Sequence, residues 1–261
     1  MACLIYNNTE IHYTSQGEGN VVVLLHGFLE NLSMWDHIIP HLAKKNRVIR
    51  IDLLGHGKSG NLGYIHSMEE QANMVKYVLD HLKLSNYKLI GHSMGGYIAL
   101  AFAELYPEYI KGLCLMNSTA TADDAEKKIN RDRAIKAVKH SPKTFVKLAI
   151  PNLFSEENKI KCIDEIKQIT KEALQMSQQG IIAALEGMKI RKDRTSILNS
   201  NDFPVFMIIS KQDPALDYKC LIDQTKNTKV SVVEFPDGHM SHIENTNDLI
   251  FALLNFIHLL N

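Results

Sequence analysis

Short apolar runs alternate with helical stripes along the first half of the chain. Val21–Leu25 is a continuous apolar run, as a strand buried on both faces requires, and residues 47–51 form a second that ends at Asp52. The segment 35–44 between them predicts a helix. Ala72, Val75, Val78, Leu79 and Leu82 recur at spacings of three and four, which predicts a helix over 68–82. A strand over 87–90, a helix over 94–106 stopped at Pro107 and a strand over 112–116 complete a strand–helix rhythm. That rhythm predicts an α/β fold: a mostly parallel central sheet with helices on both faces.

The rhythm breaks after Thr119. Residues 120–200 carry only helical patterns, with Ile160, Ile163, Ile166, Ile169 and Ala173 at spacings of three and four, then Ile181, Leu185 and Met188. Strand patterns return over 204–210 and 230–235, and a last helix places Leu249, Ile250, Leu253, Leu254 and Ile257 on one side. The chain therefore divides into a core, 1–119 and 201–261, and a helical insertion, 120–200.

Composition narrows the function classes. Among 261 residues, 29 Lys and Arg balance 29 Asp and Glu, so there is no general electrostatic case for nucleic acid or an anionic membrane. No apolar stretch reaches the roughly 18 residues of a membrane span; the longest, Leu249–Leu260, is broken by Asn255 and His258. Cys3, Cys114, Cys162 and Cys220 form no CxxC pair, and no secretory signal is visible, which predicts free thiols in the cytoplasm. Twelve histidines invite a metal reading, but neither His37 with His41 nor His239 with His242 has a third ligand nearby, and no metal or organic cofactor is expected.

Gly91-His92-Ser93-Met94-Gly95 matches G-x-S-x-G between an apolar strand and a helix. Such a turn exposes a serine hydroxyl at the C-terminal edge of a sheet. A serine nucleophile needs a base, and the base an orienting acid. Two later strand patterns run into Lys211-Gln212-Asp213 and Pro236-Asp237-Gly238-His239, where ligand-facing loops belong. Asp213 is the candidate acid and His239 the candidate base. His242 competes with His239, and Asp217 and Asp237 are weaker acids, further from the strand end or too close to the histidine. The backbone N–H groups of Met94 and of Phe28, in the turn after Val21–Leu25, are candidate oxyanion donors. His26 reads as structural. Gly55-His56-Gly57-Lys58-Ser59-Gly60 imitates a dinucleotide fingerprint, but no helix opens there.

With His26-Gly27-Phe28, the segment 52–59, Gly91–Gly96, Lys211-Gln212-Asp213 and Gly238-His239 followed by Glu244, the chain resembles the α/β-hydrolase fold family over essentially its full length. The resemblance implies a serine hydrolase core with a helical cap after the sixth strand, and reads the 55–60 segment as a structural turn. The family also admits an acid after the sixth strand; Asn117-Ser118-Thr119 stands there, which favours Asp213. Branches with Asp at the elbow, the haloalkane dehalogenases and epoxide hydrolases, are excluded by Ser93. A menaquinone-pathway lyase branch has Arg where this chain has Tyr97. The expected reaction is hydrolysis of a small to medium carboxylic ester through an acyl-Ser93 intermediate, with water as second substrate. C–C bond hydrolysis, thioester hydrolysis, perhydrolysis and a non-catalytic receptor role remain open. Phe28, Trp35, Phe145, Leu148, Leu185 and Met188 are the expected walls of a largely apolar pocket over Ser93.

Overall fold

The computed structural model describes residues 2–199 and 202–258. Eight strands form one sheet: β1 Ala2–Tyr6, β2 Thr9–Gln16, β3 Asn20–Leu25, β4 Asn46–Ile51, β5 Tyr87–His92, β6 Ile110–Met116, β7 Val205–Ser210 and β8 Ser231–Phe235. Their order is β1-β2-β4-β3-β5-β6-β7-β8. From β4 to β8 every neighbouring pair is parallel, whereas β1 and β2 join as an antiparallel edge.

The period-two alternation of strand side chains builds two cores from the same strands. Val23, Leu25, Ile49, Ile51, Leu89 and Leu115 pack to one face with the helices Met68–His81 and Met94–Leu105. Val22, Leu24, Val48, Ile90 and Met116 pack to the other with Trp35, Ile38 and Leu42 and with the helix Thr246–His258. Burial on both faces explains why the parallel strands read as unbroken apolar runs.

The expected helix over 35–44 is two pieces instead, a 3-10 turn at Leu32–Trp35 and one helical turn at Ile39–Leu42. Strand β1 is a short apolar run and β2 only alternates Ile11 and Tyr13 with polar neighbours; the sequence reading passes over both. Between β6 and β7 lie the helices Ala125–His140, Pro142–Ala149, Asn158–Lys161, Ile163–Ala173 and Gln178–Lys189, with no strand among the described residues. The isoleucine stripe there is shorter than its spacing suggests. Ile160 is 80% exposed and ends before the chain restarts its helix at Ile163, so the buried face is carried by Ile166 and Ala173. The expected return to the core at 200–201 falls outside the described residues, as does the end of the last apolar segment at 259–261. Among the described residues no helix is long and apolar enough to cross a membrane.

Candidate active site

Ser93 sits between β5 and the helix Met94–Leu105 with φ +50° and ψ −114°. A non-glycine residue in this region is strained and persists only where its surroundings over-determine it. Here they do. A Cβ on Gly91 would strike the carbonyl of Gly95, and one on Gly95 would strike the carbonyl of Leu25, so only glycine lets strand and helix approach this closely. The Ser93 N–H donates to the Met116 carbonyl at 2.9 Å, and the Ser118 hydroxyl donates to the Ser93 carbonyl at 2.8 Å.

The loops after β7 and β8 meet at this turn. His239 Nε2 lies 2.8 Å from Ser93 Oγ, and His239 Nδ1 lies 2.7 Å from Asp213 Oδ2. An Nδ1–H donated to the carboxylate leaves Nε2 free to accept the serine proton. Burial would raise the Asp213 pKa, but His239 beside it holds the carboxyl below the ordinary value. Asp213 Oδ1 accepts the N–H groups of Ala215 and Leu216, and Asn117 Nδ2 donates to Oδ2 at 3.2 Å. Asn117 also donates to Ser210 Oγ and accepts from Ser241 Oγ. The position after β6 that could have held an acid thus supplies a clamp for Asp213.

The turn after β3 carries Phe28. His26 Nδ1 donates to the Gly27 carbonyl at 2.8 Å and Nε2 accepts from the Leu53 N–H at 3.0 Å, a structural arrangement. Glu30 Oε2 accepts both the Gly27 N–H and His92 Nδ1–H, at 2.8 and 2.7 Å. The N–H groups of Phe28 and Met94 donate to no described residue, and Met94 follows Ser93 directly.

A sequence profile described as the alpha/beta hydrolase fold matches residues 20–152, from β3 into the helical insertion. The chain belongs to the α/β hydrolase fold family. This α/β hydrolase is 29% identical over 255 residues to a putative 2-succinyl-6-hydroxy-2,4-cyclohexadiene-1-carboxylate synthase of Bacillus subtilis, a match covering 90% of each chain. Among solved structures, a thermophilic esterase from Thermogutta terrifontis superposes with a TM-score of 0.88 at 28% identity, over 97% of this chain and 94% of that one. An enol-lactonase from Burkholderia xenovorans LB400 superposes at 0.90 and 23% identity, over 98% and 100%, and shares the fold.

Not every residue expected to line the pocket of this hydrolase does so. Phe28, Phe145 and Leu185 border one hollow of about 280 Å³, together with Tyr97 and Leu216. Trp35 does not; it is fully buried on the opposite sheet face, among Val22, Leu24 and Ile38. Leu148 is 64% exposed, because it lies on the outer side of the helix Pro142–Ala149. Met188 is buried in the packed core rather than along the hollow. The walls of this hollow are mostly apolar, and Lys127, Arg131, Arg191 and Asp123 stand among them. A larger hollow of about 750 Å³ lies elsewhere, between the 29–41 segment and the helices Ile163–Ala173 and Thr246–His258.

Sequence reasoning missed Glu30, His92, Asn117 and the role of Glu244. Glu244 accepts from the N–H groups of Gly238, Ser155 and Met240 and from Asn158 Nδ2, and so binds the His239 loop to the insertion. The Leu153 carbonyl accepts the His239 N–H at 2.9 Å, a second tie between the same two segments. The 55–60 segment is a closed turn in which the Gly55 N–H donates to the Gly60 carbonyl and Asp52 accepts the Lys58 N–H.

Proposed function

We propose that the chain is a serine hydrolase that cleaves a carboxylic ester, or a related acyl bond, of a small to medium molecule. One observation carries the reading: the unbroken chain from Ser93 Oγ through His239 to Asp213, at 2.8 and 2.7 Å. His239 Nε2 takes the Ser93 proton as Oγ attacks the acyl carbon. Asp213 holds the ring in the tautomer that allows this and stabilises the imidazolium. The Phe28 and Met94 N–H groups receive the oxyanion, and each such donor is worth roughly 3 kcal/mol in the transition state. Collapse breaks the bond to the leaving alcohol, which departs with the proton from His239. Water then attacks the acyl-Ser93 ester, giving its proton to His239, and the acid leaves as Ser93 regains its hydrogen.

The helices between β6 and β7 act as a cap over this edge of the sheet, which suits dissolved esters better than aggregated lipid. The esterase of Thermogutta terrifontis, 28% identical, supports the ester reading, and Tyr97 stands where the lyase branch has its elbow arginine. Unpaired Cys3, Cys114, Cys162 and Cys220 fit a reducing compartment such as the cytoplasm.

The test is twofold. Ser93→Ala lowers turnover of aryl esters by at least about 10³-fold. A serine-directed fluorophosphonate adds its mass to Ser93 and to no other residue. Labelling elsewhere, or an alanine variant with full activity, overturns the reading.

A further inference from the structure

The hollow beside Phe28 has a lopsided charge. Phe28, Tyr97, Leu185 and Leu216 give it an apolar wall, while Lys127, Arg131 and Arg191 bring three cations against one anion, Asp123. Of these, Arg191 is committed to structure. Its Nη1 donates to Asp123 Oδ1 at 2.6 Å, its Nε and Nη2 donate to the Thr121 carbonyl, and its guanidinium lies 4.1 Å over the Tyr97 ring.

Arg131 is different. Its Nε donates to Asp123 Oδ2 at 3.1 Å, which fixes the plane of the guanidinium, while Nη1 and Nη2 donate to no described residue. Both Asp123 oxygens are then occupied, one by each arginine. Lys127 lies one helical turn before Arg131 on the helix Ala125–His140, hence on the same face, and makes no ion pair among the described residues. Asp217 feels the Lys127 charge, but its carboxylate accepts the Cys220 N–H at the start of the next helix.

A guanidinium oriented along one edge with its other donors free is a fork for a planar anion, and a neighbouring ammonium adds a point charge. We propose that this hollow is an anion subsite, and that the substrate acyl chain carries a carboxylate which Arg131 and Lys127 receive. The inference rests on the acyl-transfer reading above and names its substrate class, a hemi-ester of a short dicarboxylic acid. A neutral acyl chain of the same length strips water from both cations without pairing them, and sites built for a polar partner reject analogues that lack it.

Two measurements test it. The first compares kcat/KM for p-nitrophenyl hemiglutarate with that for p-nitrophenyl valerate. The native chain prefers the hemiglutarate by at least about tenfold, Arg131→Gln reduces that ratio by at least about tenfold, and Lys127→Gln reduces it by about threefold. The second is calorimetric titration of the Ser93→Ala chain with glutarate and with glutaramide, which needs no turnover; glutarate binds, glutaramide does not, and Arg131→Gln abolishes the difference. Hydrolysis of both esters without preference, or a preference that survives Arg131→Gln, overturns the anion subsite. Glutarate binding that depends on Arg131 in a chain that cleaves neither ester sustains the subsite and instead overturns the acyl-transfer reading.

Discussion

His92 and Glu30 meet in the interior at 2.7 Å, through His92 Nδ1 and Glu30 Oε2. The other ring nitrogen of His92 lies 3.0 Å from the backbone carbonyl of His239. Both partners are acceptors, so His92 must carry a proton on each nitrogen. Burial alone would lower its pKa, but the Glu30 carboxylate holds it above 6.5; burial likewise opposes the ionised Glu30, which the His92 charge nevertheless pulls down to about 2. One charged pair thus ties the Gly27–Phe28 turn, the elbow and the His239 loop together. Glu30→Gln removes the charge and leaves a nitrogen of His92 without its proton. We expect kcat to fall by about 10- to 100-fold with little change in KM, as slight misplacement of reacting groups does. Because the His92 pKa is raised on folding, its stabilisation is whole below about pH 6.5 and fades as pH rises through its folded value. Glu30 contributes in the opposite sense: its share is whole above about pH 4.5 and is lost as pH falls toward 2. The measurement is a pH–rate profile alongside urea unfolding. An unchanged kcat in the variant would falsify the positioning role.

The two histidines of the last loop separate cleanly. His239→Ala and Asp213→Asn should each lower kcat by about 10³- to 10⁴-fold while the chain still folds. His242 is buried against Glu30 at 3.6 Å, whereas the hydrogen bonds to Ser93 and Asp213 come from His239. His242→Ala should cost less than about tenfold in kcat. Steady-state kinetics on one aryl ester ranks the three, and a His242 variant as inactive as the His239 variant would reassign the base.

Acid should unfold this protein early. His26, His56, His66 and His242 are all buried, and burial lowers each pKa: His56 to about 3, His66 and His242 to about 4. Each is neutral in the fold and protonated when unfolded below pH 6.5. Their combined contribution is therefore whole above that pH and is lost as pH falls toward 4. Each proton is worth about 1.4 kcal/mol per pH unit, so His56, His66 and His242 together reach about 4 kcal/mol per unit, with His26 acting in the same direction. The urea midpoint should collapse between about pH 6 and pH 4.5, and His56→Gln should make the slope shallower. A midpoint that is flat over that range contradicts the assignment.

Trp35 and Leu148 should behave in opposite ways. Trp35→Ala empties a fully buried site and should cost about 3–5 kcal/mol of stability. Leu148→Ser alters an exposed side chain and should stay within about 0.5 kcal/mol. Neither should change the relative rates on esters of graded acyl length, which chemical unfolding and a chain-length series together check.

The sheet was legible because its parallel strands are buried on both faces and read as apolar runs, each followed by a loop. That logic led from the ends of β5, β7 and β8 to Ser93, Asp213 and His239. Strands β1 and β2 escape it because they pair as an antiparallel edge with no helix between them: β1 is apolar but mostly exposed, and β2 only alternates apolar with polar positions. Glu30 and His92 escaped it because they are 62 positions apart and nothing local marks either as a partner. In the sequence Asn117 marks only the absence of an acid after β6, whereas its amide clamps Asp213. The wall residues failed for a further reason: helical spacing identifies a buried stripe, as with Met188, without saying whether it faces a hollow or its neighbours.

The backbone at Ser93 has a consequence for how the protein could change over time. At φ +50° only glycine is comfortable, and strain of this kind costs about 1–3 kcal/mol. Ser93→Gly should melt above the native chain, whereas Ser93→Ala keeps the strain and should gain nothing from it. Selection for heat resistance alone would thus favour an inert protein, since the substitution that relaxes the turn also deletes the hydroxyl. A population kept warm but never asked to turn over substrate should drift toward glycine at this position.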